Sequence, residues 1–489
     1  MTTPAEHAAA IISWVGGRDA AAIDAELADP AHPIGLAIAA IADAADSDDE
    51  LLRSSGLTAL FAGVVEPLND AFTPAGRAAY ARLFARACWQ VIGKRPEMLA
   101  ALAGLGVDSL ATLEARYRRA RSGGDPLPAS VRRIVVLSRV TVGADVLLTT
   151  VAIQRLHQRW PAAELVLLGD PKLAALIGGG ADIRDGAGPL PPIRVKPIAY
   201  RRRGGFGERL ASWLPLLAAV AEEQPDLVVG PDSRLDQLGL LPVVADPARY
   251  LLWENTQPDP AAPESLADLC DRAFARRLGL PASPACLPRA ALDAGMQALA
   301  ERFRSAFAGK PVLAVKLDHG GNPAKALPRA GEVAVLSAAR AAGWHILIDR
   351  GFGEAELGNS NALMQALGWT PLDLDEDARI GRDPRRLAPG ELSAAPVARF
   401  HGSIAGWAAA LSACPRALSY DSVGHHLAAA LGVPVAVAFT GHADHAFVVG
   451  WQPRGSSEVA LVEIPTAEKH QPAWWAKVSA AIGRPAATP

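Results

Sequence analysis

The stretch that most restricts the fold is residues 417–440, which reads as strand, turn, helix, strand. Ala417-Leu418-Ser419-Tyr420 is a short apolar approach. Asp421-Ser422-Val423-Gly424 is a turn carrying a carboxylate, a hydroxyl and a glycine. The next residues, His425-His426-Leu427-Ala428-Ala429-Ala430-Leu431, suit a helix, Gly432-Val433-Pro434 stops it, and Val435–Phe439 is a buried-strand run. Such a unit aims a helix N-terminus at the carboxyl edge of a parallel sheet. Free backbone N–H groups and the helix dipole converge there and favour an anionic ligand. A glycine in the turn lets a phosphate approach the backbone closely. The plain alternative is an ordinary αβ unit in which Asp421 or Ser422 caps the helix.

The rest of the chain repeats this grammar. Ser122-Gly123-Gly124-Asp125-Pro126-Leu127-Pro128 is a linker. Before it, residues 1–121 are rich in alanine, with apolar residues at helical spacing in Ile11-Ile12-Val15, Ile34-Leu36-Ile38-Ile41 and Ala79-Leu83-Phe84. Trp14 and Trp89 read as core aromatics. This region is expected to be all-α, either an accessory or oligomerisation domain or an acceptor-recognition module.

After the linker, strands are expected at residues 133–137, 164–168, 193–198, 226–229 and 250–253, with helices between them at 145–160, 174–177 and 208–223. A second run has strands at 312–316, 344–348, 435–439 and 459–464, and helices at 292–307, 330–342, 363–367, 404–413 and 472–482. Residues 371–389 read as charged and irregular. The expected fold class is α/β: two doubly wound Rossmann-like lobes preceded by an all-α domain. The boundaries are 1–121 (all-α), 122–130 (linker), 131–257 (first lobe), 258–310 (connection) and 311–489 (second lobe). Two such lobes imply a cleft between them as a ligand site.

Composition narrows the function. Of 489 residues half are hydrophobic, so large cores are available, and the formal net charge of −3 argues against a general nucleic-acid binder. Cys88, Cys270, Cys286 and Cys414 have no paired spacing, which suits a reduced cytoplasm rather than a disulfide framework or a zinc site. Glu6 and His7 precede the first short apolar run, so no secretory signal is expected. No stretch is long and apolar enough to span a bilayer. The expected location is cytoplasmic, with peripheral contact at the inner face of a membrane left open.

Several groups of residues bear on chemistry. Asp145, beyond the first strand of the first lobe and after a Thr141-Val142-Gly143-Ala144 turn, is placed to act as a general base or, alternatively, to cap its helix. In Asp318-His319-Gly320-Gly321-Asn322-Pro323-Ala324-Lys325, glycines followed by a lysine suit a diphosphate, although the P-loop pattern is absent. A solvated loop lysine is the alternative. Arg201-Arg202-Arg203-Gly204-Gly205-Phe206-Gly207 reads either as a grip on an anionic acceptor or membrane surface, or as a solvated charge run. His401, Gly402, Ser403, Thr440, Gly441 and His442 are candidates to line the cleft. His425 and His426 are adjacent, and on a helix they point to different faces. His442, Asp444 and His445 read as a polar loop rather than a zinc site. No metal is expected.

Three of these stretches carry a resemblance. Arg139-Val140-Thr141-Val142-Gly143-Ala144-Asp145-Val146-Leu147-Leu148-Thr149-Thr150, Gly320-Gly321-Asn322-Pro323-Ala324-Lys325-Ala326-Leu327-Pro328 and Asp421-Ser422-Val423-Gly424-His425-His426-Leu427-Ala428-Ala429-Ala430-Leu431-Gly432-Val433-Pro434 resemble, in order and spacing, the motifs of the ADP-heptose:lipopolysaccharide heptosyltransferase family, glycosyltransferase family nine. The resemblance runs over about residues 132–475 and leaves the helical region outside it. The family's G-D is Ala144-Asp145 here, its W-P is Leu327-Pro328, and its glycine two after the aspartate is Val423.

The resemblance implies a two-lobed GT-B fold, a nucleotide sugar mainly on the second lobe, an acceptor mainly on the first, and inverting, metal-independent transfer. By position, Asp145 becomes the base and Lys325 a diphosphate ligand. Gly320, Gly321, Asp421, Ser422 and Gly424 join the nucleotide-sugar site, with His426 matching the family histidine. The partners implied are a nucleotide-diphosphate sugar as co-substrate and a glycan or glycolipid acceptor, with no further cofactor. Two other readings stay open: a binding or scaffold protein acting through residues 1–121, and a nucleotide-sugar epimerase. Oligomeric state is left open.

Overall fold

The computed structural model describes residues 2–178, 190–200, 203–259, 261–320, 322–351, 353–379, 381–442 and 444–485. The chain divides into two compact units. The first comprises Met1–Val140, Arg155–Pro171 and Val195–Pro284; the second comprises Thr141–Gln154, Lys172–Arg194 and Ala285–Pro489.

The first unit opens with helices Pro4–Val15, Ala20–Glu26, Pro33–Ala45, Glu50–Leu60, Pro74–Ile92, Pro96–Gly104 and Leu110–Ser122. Their starts follow local chemistry: Thr3, Asp19, Asp49, Thr73 and Ser109 cap with their side chains, and proline stands in the first turn of four of them. Five parallel strands follow: β1 (Arg133–Leu137), β2 (Glu164–Gly169), β3 (Ile193–Pro197), β4 (Leu227–Pro231) and β5 (Tyr250–Trp253), in the order β3-β2-β1-β4-β5.

The helical region and this sheet share one apolar core. Tyr80, Phe84 and Tyr117 belong to the same buried cluster as Val135, Leu137 and Val228. Polar ties reinforce it. Arg77, 2% exposed, reaches Asn255, Asp232 and Glu254, while Tyr117 Oη donates to Glu254 Oε1 at 2.7 Å. The region outside the family resemblance is therefore packed into the first sheet: its helices bury apolar faces against one another and against the strands in one cluster. The glycine-rich stretch is drawn into the same packing: Gly207 N–H donates to Asp46 Oδ1 at 2.9 Å. Arg201 and Arg202 lie outside the described residues, and Arg203 is exposed.

The second unit holds seven parallel strands: β6 (Val312–Lys316), β7 (His345–Asp349), β8 (Leu372–Asp375), β9 (Val397–His401), β10 (Arg416–Tyr420), β11 (Val435–Phe439) and β12 (Val459–Glu463). Their order is β12-β11-β10-β6-β7-β9-β8. The doubly wound α/β expectation is met in both sheets.

Several elements differ from the sequence expectation, among them helix Leu266–Arg277 in the stretch expected as a connection and helix His445–Gly450 where a polar loop was expected. The helix expected over 208–223 is two helices, Phe206–Leu210 and Trp213–Glu223, because Pro215 has no N–H for the Ala211 carbonyl and its ring crowds that turn. Residues expected to be irregular include β8, an edge strand whose alternating leucines and aspartates weaken the apolar signal. Strand β9 was not foreseen, since Arg399 interrupts its apolar run; there Arg399 is held by Asp373, with Nε–Oδ1 at 2.7 Å. Among the described residues no helix is long and apolar enough to cross a membrane.

Candidate functional site

In the second unit the sheet reverses direction of growth at β6. The chain passes from β6 to β7, β8 and β9 on one side, then to β10, β11 and β12 on the other. The carboxyl ends of strands at such a reversal form the ligand crevice of open α/β sheets. Here those ends are Lys316 on β6 and, after β10, the turn Asp421-Ser422.

Ser422 is the N-cap of helix Val423–Ala430. Its Oγ accepts from Gly424 N–H at 3.3 Å, and its own N–H donates to His425 Nδ1 at 3.0 Å. The capping reading of this turn holds: Ser422 caps the helix, and the helix starts at the reversal. His425 and His426 do not diverge as their helical spacing suggested. Their Nε2 atoms lie 3.0 Å apart and both rings are buried. One Nε2 must carry the shared proton and the other must accept it. His425 Nδ1 also lies 2.9 Å from the Tyr420 carbonyl, so the tautomer of the pair decides whether it donates there or accepts from Ser422. Burial lowers the pKa of both rings; for His426 the effect is large and is deepened by His425 and Lys325. His426 Nδ1 is buried with no hydrogen-bond partner.

Lys325 ends a short turn, Pro323–Lys325, beyond β6. Its Nζ lies 2.6 Å from Asp421 Oδ2 and above the Phe447 ring at 5.9 Å. The sequence treated Lys325 and Asp421 as separate ligands; the fold pairs them. Gly441, at φ 72°, presses on this turn: a Cβ there would stand 2.4 Å from Ala324 C and 2.6 Å from Lys325 N. Only glycine meets both the backbone angle and the contact. Gly320 is exposed with its N–H on Asp318 Oδ1 at 2.8 Å, and Gly321 lies outside the described residues.

Asp145 is 1% exposed. It is not an N-cap: its N–H donates to Thr141 O at 2.9 Å, and it opens a π-turn, Asp145–Thr149, inside the helical stretch after β1. Its Oδ1 accepts from Thr149 Oγ1 at 2.8 Å. A π-turn inserts one extra residue into a helix and often marks functional positions. The stretch carrying Asp145 groups with the second unit and packs on helix Val423–Ala430. A Cβ on Gly143 would stand 3.1 Å from His426 Cδ2 and 3.2 Å from Val423 Cα. Asp145, the capped turn, the histidine pair and Lys325 therefore belong to a single unit.

The other candidates are placed as follows. Thr440 follows β11, fully buried, with Oγ1 lacking a hydrogen-bond partner. His442 Nε2 stands 3.8 Å from Glu463 Oε1, and His445 Nδ1 stands 2.7 Å from Glu463 Oε2, while Asp444 caps its helix. His401, Gly402 and Ser403 sit at the end of β9, two strands from β6, under Glu376. Ser403 N–H donates to that carboxylate, and His401 Nδ1 lies 3.0 Å from Gly351 O. A carboxylate already occupies that helix start, so it is a poor place for a phosphate. Among the described residues no three His, Cys, Asp or Glu side chains gather as a metal-ligand set.

Lys316 was missed from the sequence. It is 3% exposed and pairs with Asp349; Gly424 lies against its stem. Burial opposes its charge, but Asp349 and Asp318 outweigh that and raise its pKa. A lysine closing the apolar run Val312-Leu313-Ala314-Val315 was the available signal.

No protein-family model matches the sequence, and a search of curated proteins finds no match. Among solved structures the chain is similar to E. coli ADP-heptose lipopolysaccharide heptosyltransferase II, at 14% identity over 72% of this chain and 98% of that one, TM-score 0.46. It is also similar to a family 9 glycosyl transferase from Veillonella parvula, at 15% identity over 68% of this chain and 88% of that one, TM-score 0.45. E. coli heptosyltransferase WaaC with ADP-2-deoxy-2-fluoro heptose gives 16% identity over 69% of this chain and 95% of that one, TM-score 0.45. At these scores the likeness is a distant one.

Proposed function

We propose that the chain is a glycosyltransferase that moves a sugar from a nucleotide-diphosphate sugar to a hydroxyl acceptor on a surface glycan or glycolipid, with inversion and without a metal. One observation supports this reading most: the Asp145 stretch packs against the same capped helix whose entry turn holds Lys325 through Asp421.

In this reading the donor diphosphate lies at the end of β6 and at the Ser422 turn. Lys325 turns from Asp421 to the diphosphate, and Asp421 positions it. The acceptor oxygen attacks the anomeric carbon from the face opposite the diphosphate. Asp145 takes the acceptor proton, the carbon–oxygen bond to phosphate breaks, and the nucleoside diphosphate leaves with the electron pair. Lys325 and the helix N-terminus stabilise the charge that gathers on the leaving group. Thr149 orients the base through its bond to Asp145 Oδ1. His426, held neutral, offers Nδ1 to the donor as a hydrogen-bonding group.

The test is turnover against a panel of nucleotide sugars and glycan acceptors, with the product anomer read by NMR and the reaction repeated in chelator. Transfer lost in Asp145→Asn but kept in chelator supports the assignment. A retained anomeric configuration, or full activity in Asp145→Asn, overturns it. Product formed from the donor alone, without acceptor, points to epimerisation instead.

A further inference from the structure

The first unit has its own chain reversal, between β1 and β4, and a cavity of about 230 Å³ lies beside it. Arg234, Gln237 and Leu238 of the loop after β4 line it on one side; Phe61, Asn69 and Phe84 of the helical region line it on the other. Ser233 Oγ donates to Ser138 O at 2.6 Å and ties the two strand ends together. The backbone around it is unusual. Val140, Asp232, Gln237 and Leu238 stand at φ 76, 55, 56 and 59°, which disfavours β-branched and bulky residues. Strain of this kind persists where surrounding packing enforces it and gathers at ligand sites.

The helical side carries a second mark. Phe61–Val65 is a π-turn, like the one that carries Asp145. Asn69 beside it is 5% exposed, and its Oδ1 has no hydrogen-bond partner, although its Nδ2 donates to Asp70 at 3.3 Å. An orphaned buried amide oxygen is unfavourable and so points to a missing donor.

The chemistry of the wall is mixed in a particular way. Phe61, Tyr80, Phe84 and Tyr200 present aromatic surface. Glu66, Asp70, Arg209 and Arg234 add both signs of charge to the lining. A phosphate would meet two carboxylates, and a lone cation would meet two guanidiniums. A lipid chain would leave the Asn69 oxygen buried and unpaired. A sugar ring satisfies all of them: each hydroxyl both donates and accepts, and the C–H face packs on aromatic rings.

We propose that this cavity binds one sugar ring, the terminal residue of the acceptor, and that the N-terminal helices form half of the site. Its identification as the acceptor rests on the transfer reaction proposed above; the sugar site itself does not. Burial raises the pKa of Asp70 against the opposing pull of Arg234 and Arg139.

The test uses the full chain, labelled, on a glycan array, followed by calorimetric titration of the retained glycan into wild type, Asn69→Leu and Arg234→Ala. Both variants are expected to lose at least tenfold in glycan affinity. Asn69→Leu should keep or raise the melting temperature, because it removes an unsatisfied buried group, and Arg234 is exposed, so neither loss comes from unfolding. No retained glycan, or retention equal in all three proteins, overturns the proposal. ADP, GDP and UDP affinities are measured in the same samples. Glycan binding without any nucleotide binding leaves the sugar site standing and removes sugar transfer.

Discussion

At the residue scale, the Lys325–Asp421 pair is the most direct test of the proposed donor site. Lys325→Ala removes a charged donor, and such bonds contribute about 1.5–3 kcal/mol, so affinity for a nucleoside diphosphate should fall roughly tenfold to a hundredfold by titration. Asp421→Asn should raise the donor KM more than it lowers kcat, because it frees Lys325 without removing it. Asp145→Asn should lower kcat about a hundredfold to ten-thousandfold with donor affinity unchanged, the range for a lost general base. Gly441→Ala places a side chain at φ 72° against the Lys325 backbone. The left-handed angle alone costs about 1–2 kcal/mol, and the clash displaces Lys325. Its melting temperature and its diphosphate affinity should therefore fall together.

At the element scale, helix Val423–Ala430 gathers the site. Ser422→Ala removes its cap and should cost about 1 kcal/mol of stability in denaturant unfolding. The buried histidine pair gives this helix a pH dependence. Both rings have folded-state pKa values below the ordinary histidine value, so the unfolded chain binds more protons as pH falls through that value. Stability from the pair is then fully present above the ordinary histidine pKa and declines as pH falls below it. Asp236 works in the opposite sense. Burial pushes it up to about 7 despite its bonds from Tyr250 and Gly239. Its folded form holds a proton that the unfolded form has lost, so its contribution declines as pH rises from the ordinary carboxylate range towards 7. Melting temperature against pH should thus be a compromise, and Asp236→Asn should make the rise from pH 4 to 7 steeper. A flat or falling profile in that variant would contradict the histidine assignment.

At the scale of the whole molecule, residues 1–122 are not a detachable module, because Tyr80, Phe84 and Tyr117 share a core with Val135 and Val228. A chain lacking those residues should expose that apolar surface and aggregate, or unfold without a cooperative transition by calorimetry. Arg77→Met leaves Asp232 and Glu254 short of a partner and should destabilise by about 3–5 kcal/mol. The legible part of this organisation was the alternation of strands and helices, which set the two sheets. The shared core was not legible, since an amphipathic helix shows that it has an apolar face and not which surface covers it.

The same limit governs the site. By itself the sequence determined the capped turn at Ser422, the stop at Gly432-Val433-Pro434 and the position of Asp145 after β1, because caps, breakers and periodic burial act over a few residues. Tertiary structure alone decided that Lys325 pairs with Asp421, that His425 and His426 share a proton, and that the Asp145 stretch packs on the helix after β10. It alone decided that Asn69 faces a cavity walled by the loop after β4. Each of these contacts joins groups through packing or bond directions that neither residue's neighbours in sequence specify. Only the completed sheets, which fix where strand ends lie, bring them within reach.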